Sequence, residues 1–552
     1  MKPGQQSKIL KYSQILAILM LLALILIPLG MVLLRSFLLD GDWSLQAPLD
    51  VLMDPGLVSV YLNSIQLGLW VVLGTTLLAL PLAFIMTKTP IGRHGWLDLL
   101  LLVPFMTPPY IGSMGWILFM QPRGFLDQFL PAFSFMQPAF FSVFGISMIM
   151  SFHLFPFLYL ILKNALIEIS GSLEEAGAIH GGDFLYRLRR IIAPLIFSPY
   201  SMGVLLVFVK TISEFGTPAT LGRRVGYYVL TTEIYRYTSN WPIDFGKAAS
   251  VSSILLGTSL MVWALQNAIT KKKTYHTVGG KSRASRQYSS RKVQWLSAAY
   301  CGLIMAFAIG IPYFSIIATS LMDLRGYGLQ LNNLTLNHYQ QILTLGSSGL
   351  SVIATSVRLS LMSATLALIL GTLLALVIIP SKGFPRSLID SSCLLSNTVP
   401  SVVIIVGMIL FWNARWNFIS IYNTSFMLVL AYTVLFLPFT VQYVKSSLQQ
   451  IDQSLYQAAR VGGASPFYLF RRIILPLIRP GMVAGWIMTF IISVRELIAS
   501  LMIRPPGLET TATFIYREFE QGNASSGMAM AVITVGLTTI IMLSVQKLQK
   551  RV

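Results

Sequence analysis

Residues 156–196 and residues 438–478 decide the fold, because they are two copies of one sequence. The first reads PFLYLILKNALIEISGSLEEAGAIHGGDFLYRLRRIIAPLI and the second reads PFTVQYVKSSLQQIDQSLYQAARVGGASPFYLFRRIILPLI. They align without gaps and are identical at 17 of 41 positions. A second ungapped register aligns residues 63–119 with residues 355–411, pairing Pro108 with Pro400 and Asp98 with Asp390. The sequence therefore predicts a duplicated unit.

Apolar runs of membrane-spanning length recur along the chain. Its 552 residues are 55% hydrophobic and only 11% charged, with a mean hydropathy of +0.70. A bilayer core of roughly 30 Å needs about 20 helical residues. Runs of about that length lie near residues 15–34, 63–87, 96–120, 139–162, 198–218, 247–270, 293–321, 354–379, 388–412, 425–444, 480–503 and 526–546. We predict an all-α membrane protein of twelve transmembrane helices, arranged as two parallel six-helix repeats related by an axis along the membrane normal.

The basic residues indicate orientation rather than nucleic-acid binding. The net charge is +20, but Lys and Arg lie mostly in short segments between apolar runs, as in the cytoplasmic loops of membrane proteins. The loop after the first run instead carries Asp40, Asp42, Asp50 and Asp54 without Lys or Arg. We expect both termini to face the cytoplasm. The two cysteines, Cys301 and Cys393, lie in apolar runs and predict no disulfide framework.

A polar, basic segment at residues 271–292 divides the chain. It is rich in Ser and Gly and has no apolar periodicity, so it is typical of a flexible linker. The first unit is predicted at residues 1–270 and the second at residues 293–552. Each contains one copy of the best-matched loop, at residues 163–197 and 445–479.

These loops carry the strongest functional signal, since a loop copy diverges quickly unless something binds it. Small residues let a short helix approach a partner closely, glycine permits a turn, and proline starts the next helix. The candidate residues in the first loop are Glu175, Ala176, Gly177, Gly181 and Pro194. Their equivalents in the second loop are Gln457, Ala458, Ala459, Gly463 and Pro476.

The two loops resemble the EAA loop of ABC importer permeases, whose pattern is Glu-Ala-Ala, three residues, Gly, and later Ile-x-Leu-Pro. The resemblance implies a type I permease fold in the bacterial inner membrane. It also implies two copies of a separate ATPase that holds ATP and Mg²⁺, and an external binding protein. In this family the loop helix rests in a groove of the ATPase. Gly177 and Gln457 depart from the pattern, so the two contacts need not be equivalent. Glu174, Glu175 and Asp183 make the first loop more acidic than the second.

The sequence contains no recognised catalytic motif. The only P-loop-like string, Gly280-Lys281-Ser282, has Tyr275 where the phosphate cradle needs glycine. We therefore predict that the chain is not an enzyme and carries no cofactor. A secondary transporter of the major facilitator class also has twelve spans and a basic linker. Residues 88–95 weakly suggest its fingerprint but lack the aspartate, and that class has no EAA loop.

Ionisable residues within spans are costly and usually face a pathway or a partner. Glu214 and Glu496 occupy equivalent positions in the fifth and eleventh runs, with Lys210 one turn before the first and Arg495 beside the second. One hypothesis places the two carboxylates along the translocation route, where they would suit a hard cation. The alternative is an intrahelical Lys210–Glu214 pair that only neutralises both charges.

The substrate is suggested only by resemblance. Two fused units, residues 213–222 after the fifth run, and residues 233–235 and 245–249 before the sixth, resemble ferric iron permeases. This implies ferric iron as the transported substrate, but metal ligands are not identifiable from the sequence. Thiamine permeases share the fused architecture, and polyamine and aminoalkylphosphonate permeases are related, so these substrates remain alternatives.

Overall fold

The computed structural model describes residues 3–39, 42–44, 53–272, 290–414 and 420–549. In these residues, ten single helices are long and apolar enough to cross a membrane. Two further pairs of shorter helices meet this test together, which gives up to twelve spans. Numbered in chain order, the spans are Leu10–Ser36, Pro55–Lys88, Gly95–Met106 with Pro109–Met120, Val143–Glu168, Phe184–Ser213, Phe245–Ile269, Arg291–Ser320, Ser348–Ile378, Gly383–Thr398 with Ser401–Trp412, Ser425–Gln449, Pro466–Val494 and Ala524–Met542. The prediction of an all-α membrane architecture is confirmed.

Short elements connect the spans. Two of them, here called the first loop helix (Gly171–Ile179) and the second loop helix (Gln453–Val461), lie between spans four and five and between spans ten and eleven. The other short helices are Pro90–Arg93, Phe125–Phe129, Pro131–Met136, Gln137–Phe140, Pro218–Gly222, Arg223–Val225, Leu230–Ser239, Arg325–Tyr327, Leu331–Asn333, Asn337–Leu343, Ile498–Ile503 and Thr511–Glu520. The one described strand pair is Leu38–Leu39 with Asp42–Trp43, antiparallel.

Spans three and nine are bent pairs rather than the straight helices that their apolar runs predict. The two halves meet at 92° in span three and at 111° in span nine. The bends fall at Thr107-Pro108 and Val399-Pro400, where the residue before proline has extended backbone, with ψ of 132° and 135°. Proline disfavours helical geometry in the residue before it. The paired prolines of the repeat therefore mark the bends.

Spans five and eleven also differ at their ends from the predicted runs, 198–218 and 480–503. Each helix begins earlier, at Phe184 and Pro466, and passes through one π-helical turn, Leu188–Ile192 or Phe470–Ile474. Each ends before the apolar run does, at Ser213 and Val494. Glu214 and Glu496 consequently lie just beyond a span helix instead of inside one.

The chain forms two compact units that do not coincide with the two sequence repeats. Unit one contains Met1–Val51, Ile234–Leu256 and Asn337–Val552, and unit two contains Leu52–Glu233 and Gly257–Leu336. Span one therefore belongs to the unit that holds most of the second repeat, and span seven belongs to the unit that holds most of the first. The repeat boundaries at residues 270 and 293 stay a prediction, and most of the linker, residues 273–289, lies outside the described residues.

Paired glycines allow the first span of each repeat to pack closely on the other repeat. In unit two, a Cβ on Gly115 of span three would lie 2.6 Å from the backbone oxygen of Pro312 in span seven. In unit one, a Cβ on Gly407 of span nine would collide with the backbone oxygen of Pro28 in span one. Gly115 and Gly407 are equivalent in the internal alignment. The same close approach is thus built into both units.

Candidate functional site

The first loop helix ends in a turn that requires glycine. Gly181 has a φ of +79°, in the left-handed region that disfavours other residues. The backbone N–H of Gly182 donates to Gly177 O at 2.9 Å, and that of Gly181 donates to Ala178 O at 3.1 Å. These two bonds form a Schellman motif. Asp183 then caps the next helix by accepting from the N–H of Tyr186 at 2.7 Å.

The second loop helix ends in the same way. Gly463 has a φ of +74°, and the N–H of Ala464 donates to Ala459 O at 3.0 Å. At its start, the carboxylate of Asp452 accepts from the N–H of Ser454 at 2.8 Å. Hydrogen bonds from the backbone and hydroxyl of Ser454 hold the pKa of Asp452 below its usual value. The predicted glycine turns are therefore present in both loops.

Gly177, which departs from the EAA pattern, lies in a crowded position. A Cβ at this residue would come within 2.6 Å of Ile191 Cδ1 and 3.2 Å of Arg187 Cγ. In the second loop the equivalents of Ile191 and Arg187 are Ile473 and Leu469. In the first loop the buried Arg187 side chain is larger than Leu469, its equivalent, and it packs against Gly177, which is smaller than Ala459, its equivalent. The departure therefore accompanies a change in local packing.

Two adjacent glutamates of the first loop differ in exposure. Glu174 is buried, with 1% of its side chain exposed, and forms an ion pair with Lys88, the last residue of span two, which is fully buried. Glu175 is half-buried, and Gln457 is exposed. Sequence reasoning missed the Lys88–Glu174 pair and counted Glu174 among the acidic groups of the loop surface. The available signal was a lysine at the end of a long apolar run, which needs a counterion.

Both loops expose large apolar side chains at equivalent positions. We call each set of four a loop face. The first loop face consists of Leu173, Ile179, Leu185 and Tyr186, and the second consists of Leu455, Val461, Phe467 and Tyr468. Ile179 is 82% exposed and Val461 is 91% exposed. Large exposed apolar patches usually mark interaction surfaces. Pro194 and Pro476 lie within spans five and eleven, just after the π-helical turn of each.

The second group of candidate residues lies where spans five and eleven end. The Glu214 carboxylate accepts from the N–H groups of Gly216 at 2.6 Å and Thr217 at 3.0 Å. The Glu496 carboxylate accepts from the N–H of Ala499 at 3.3 Å. Each carboxylate thus caps the short helical segment that follows its span, a role typical of acidic residues at helix N-termini.

The cations that the sequence placed near these carboxylates precede them in the chain, by four residues for Lys210 and by one for Arg495. Lys210 belongs to the last turn of the span-five helix, and Arg495 is the residue that follows the span-eleven helix. Glu214 and Glu496 are both partly buried. They belong to different compact units, so a route shared by Glu214 and Glu496 stays a prediction. Within the described ranges, no group of three or more His, Cys, Asp or Glu side chains is placed to hold a metal ion.

Comparison with known proteins identifies relatives of this arrangement. Residues 79–275 and 367–552 each match the model of a family described as "Binding-protein-dependent transport system inner membrane component". The chain is 24% identical over 495 residues to a ferric transport system permease protein of Actinobacillus pleuropneumoniae, covering 88% of this chain and 70% of that protein. It is 23% identical over 526 residues to an Fe(3+)-transport system permease protein of Haemophilus influenzae, covering 94% and 95%. A putative 2-aminoethylphosphonate transport system permease protein of Salmonella typhi is 26% identical over 252 residues, covering 45% and 94%.

Proposed function

Because the chain belongs to the family of binding-protein-dependent transport system inner membrane components, we propose that it moves ferric iron into the cytoplasm as the permease of an ABC importer. An external binding protein delivers the substrate. ATP is hydrolysed on a separate subunit, of which two copies bind one copy of this chain. The inner membrane holds the protein with both termini on the cytoplasmic side.

The observation that carries this proposal is the pair of loop faces. A glycine with positive φ ends each loop helix, and equivalent apolar residues are exposed beside it. Two surfaces with equivalent exposed apolar side chains favour two copies of the same partner. In the proposed orientation both faces are cytoplasmic, where an ATPase would reach them.

Iron is favoured by relatives that span nearly the whole chain and are named for ferric or Fe(3+) transport. The relative named for 2-aminoethylphosphonate corresponds to less than half of this chain. Glu214 and Glu496 would contribute anionic oxygen to the route of a hard cation. Their backbone hydrogen bonds hold each carboxylate at the end of its span.

Co-purification with the ATPase tests the docking role of the loop faces. Replacing Ile179 and Val461 with aspartate places a charge at the most exposed position of each face, and we expect ATPase association to be lost. Leu345→Asp is a matched control, because Leu345 is 90% exposed but lies between spans seven and eight. Retention of the ATPase by the Ile179→Asp/Val461→Asp variant would contradict the proposal.

The ligand of the cognate binding protein tests the substrate separately. Metal analysis and mass spectrometry of that protein, purified from its native cell, should find iron. Thiamine, a polyamine or an aminoalkylphosphonate in its place would overturn the iron assignment and leave the permease assignment intact.

A further inference from the structure

The same ion pair occurs once in each compact unit. In unit two, Lys163 Nζ lies 2.6 Å from Asp98 Oδ2, and the Tyr159 hydroxyl donates to the other carboxylate oxygen. In unit one, Lys445 Nζ lies 2.7 Å from Asp390 Oδ1 and 2.5 Å from Oδ2. Val441 stands where the first repeat has Tyr159, so the lysine alone bonds both oxygens. Each carboxylate is thus satisfied by different means.

The two pairs connect equivalent parts of the chain. Asp98 and Asp390 lie in the first halves of the bent spans three and nine, each ten residues before the proline at the bend. Lys163 and Lys445 lie near the ends of spans four and ten, each eight residues before a loop helix begins. Each pair therefore joins the helix that leads into a loop helix to the helix that leads into a bend.

The charged side chains of these pairs lie within spans, where charge costs free energy. Charged groups within spans are expensive and persist when they are paired and serve a function. The side chains are only partly buried, with exposed fractions of 17% and 28% for Lys163 and Asp98 and of 21% and 26% for Lys445 and Asp390. A partly exposed pair contributes little to stability. Stability alone is therefore a weak reason for the same pair in both units.

We propose that Asp98–Lys163 and Asp390–Lys445 are positioning pairs that transmit movement of the loop helices to the bent spans during transport. Each pair links the span that leads into a loop helix directly to a bent span, and in unit two the Tyr159 hydroxyl adds a second polar link. Movement of a loop helix by a docked ATPase would pull on span four or span ten and, through the pair, on the bent span. This inference rests on the proposed function, since it requires an ATPase at the loop faces.

The test measures the substrate taken up per ATP hydrolysed by the full complex in proteoliposomes. In Asp390→Asn we expect ATP hydrolysis to continue while this ratio falls by about fivefold or more, the lower end of typical coupling between distant sites. The charge-swapped variant Asp390→Lys/Lys445→Asp should restore the ratio. Asp127→Asn is the control, because Asp127 is a hydrogen-bonded carboxylate between spans three and four that touches neither pair.

Several results would overturn the proposal. One is an unchanged ratio of uptake to ATP hydrolysis in Asp390→Asn. Another is a proportional fall of uptake and hydrolysis in that variant, and a third is an equal fall of the ratio in the control Asp127→Asn. If Asp390→Asn does not assemble, Asp390→Leu/Lys445→Met decides, because it removes the link and leaves no charge unpaired. A lowered ratio in that variant supports the link, and a normal ratio excludes it. A wild-type complex that shows no ATP-dependent uptake would instead refute the proposed function.

Discussion

The neighbouring residues Glu174 and Glu175 show how position on a single helical turn separates two roles. Glu174 faces inward and neutralises Lys88 at the end of span two. Glu175 is half-buried and occupies the glutamate position of the EAA pattern. The second repeat has Tyr456 and Gln457 at these positions. The buried anchor is therefore particular to the first loop, and it makes the two loops structurally unequal.

Removing one member of the buried pair should destabilise the protein. We expect Glu174→Gln to cost about 3–5 kcal/mol, because it leaves Lys88 buried without its counterion. The double change Lys88→Met/Glu174→Leu should cost much less. Thermal unfolding of the detergent-solubilised chain measures both, with Glu175→Gln as the adjacent control. Equal melting temperatures for Glu174→Gln and Glu175→Gln would refute a structural role for the pair.

Two adjacent glycines in the second loop provide a matched test of backbone geometry. Gly463 has a positive φ, whereas a Cβ on Gly462 would meet nothing closer than 3.5 Å. Gly463→Ala forces a side chain into the left-handed region, at a cost of about 1–2 kcal/mol. We expect it to weaken ATPase association without preventing membrane insertion, and Gly462→Ala to be close to wild type. Pull-down with the ATPase distinguishes them, and equal retention by both variants would contradict the prediction.

Glutamine substitutions separate two roles of the carboxylates beyond spans five and eleven, their negative charge and their hydrogen bonding. A glutamine oxygen can still accept from the backbone N–H groups that contact Glu214 and Glu496. If the negative charge stabilises the transported cation, the variant Glu214→Gln/Glu496→Gln should assemble with its ATPase yet transport poorly. Normal uptake by this variant would show that capping is their main role. If transport lost in Glu214→Gln returns when the charge of Lys210 is also removed, the result favours the alternative in which Lys210 and Glu214 only neutralise each other.

At the scale of whole elements, the bent spans and their glycine contacts set the geometry of both units. Pro108 and Pro400 lie at the bends. Because Gly115 and Gly407 have no side chain, span seven packs closely on span three and span one packs closely on span nine. All four residues lie in the second register of the internal alignment. Their pairing in the sequence therefore reflects a packing requirement that occurs once in each unit.

Span three offers a control for the close approach on the same helix. A Cβ on Gly112 would meet nothing within 4 Å, whereas one on Gly115 would lie 2.6 Å from a backbone oxygen of span seven. We expect Gly115→Ala to destabilise by about 1–3 kcal/mol, as overpacking typically does, and Gly112→Ala to be near neutral. Melting temperatures of the purified chain test this. If Gly112→Ala lowered the melting temperature as much as Gly115→Ala, the result would argue against the close contact between spans three and seven.

Patterns along the chain predicted the local elements well and the contacts between distant elements poorly. Apolar runs located the spans because hydrophobicity and length are local properties, and the duplicated loops located the glycine turns. The breaks after Ser213 and Val494 were missed because the apolar runs continue beyond them. The Lys88–Glu174 pair joins residues 86 positions apart, and no periodicity relates them.

At the scale of the molecule, the chain divides by contact into two units, each of which contains the first span of one repeat and most of the other repeat. Span one lies with most of the second repeat and span seven with most of the first. Neither compact unit corresponds to one continuous stretch of the chain. Hydropathy could not predict this arrangement, because it depends on which spans pack together rather than on where they begin. The fused chain supplies both units from a single polypeptide.

The most direct measurement of the central claim is iron uptake by proteoliposomes that contain this chain and its ATPase. With iron-loaded binding protein on the side opposite the ATPase, we predict uptake that requires ATP and stops when the loop faces carry Ile179→Asp and Val461→Asp. Purified complexes should contain two ATPase copies for each chain. Uptake by the chain alone, driven by a proton gradient and indifferent to ATP, would contradict the account.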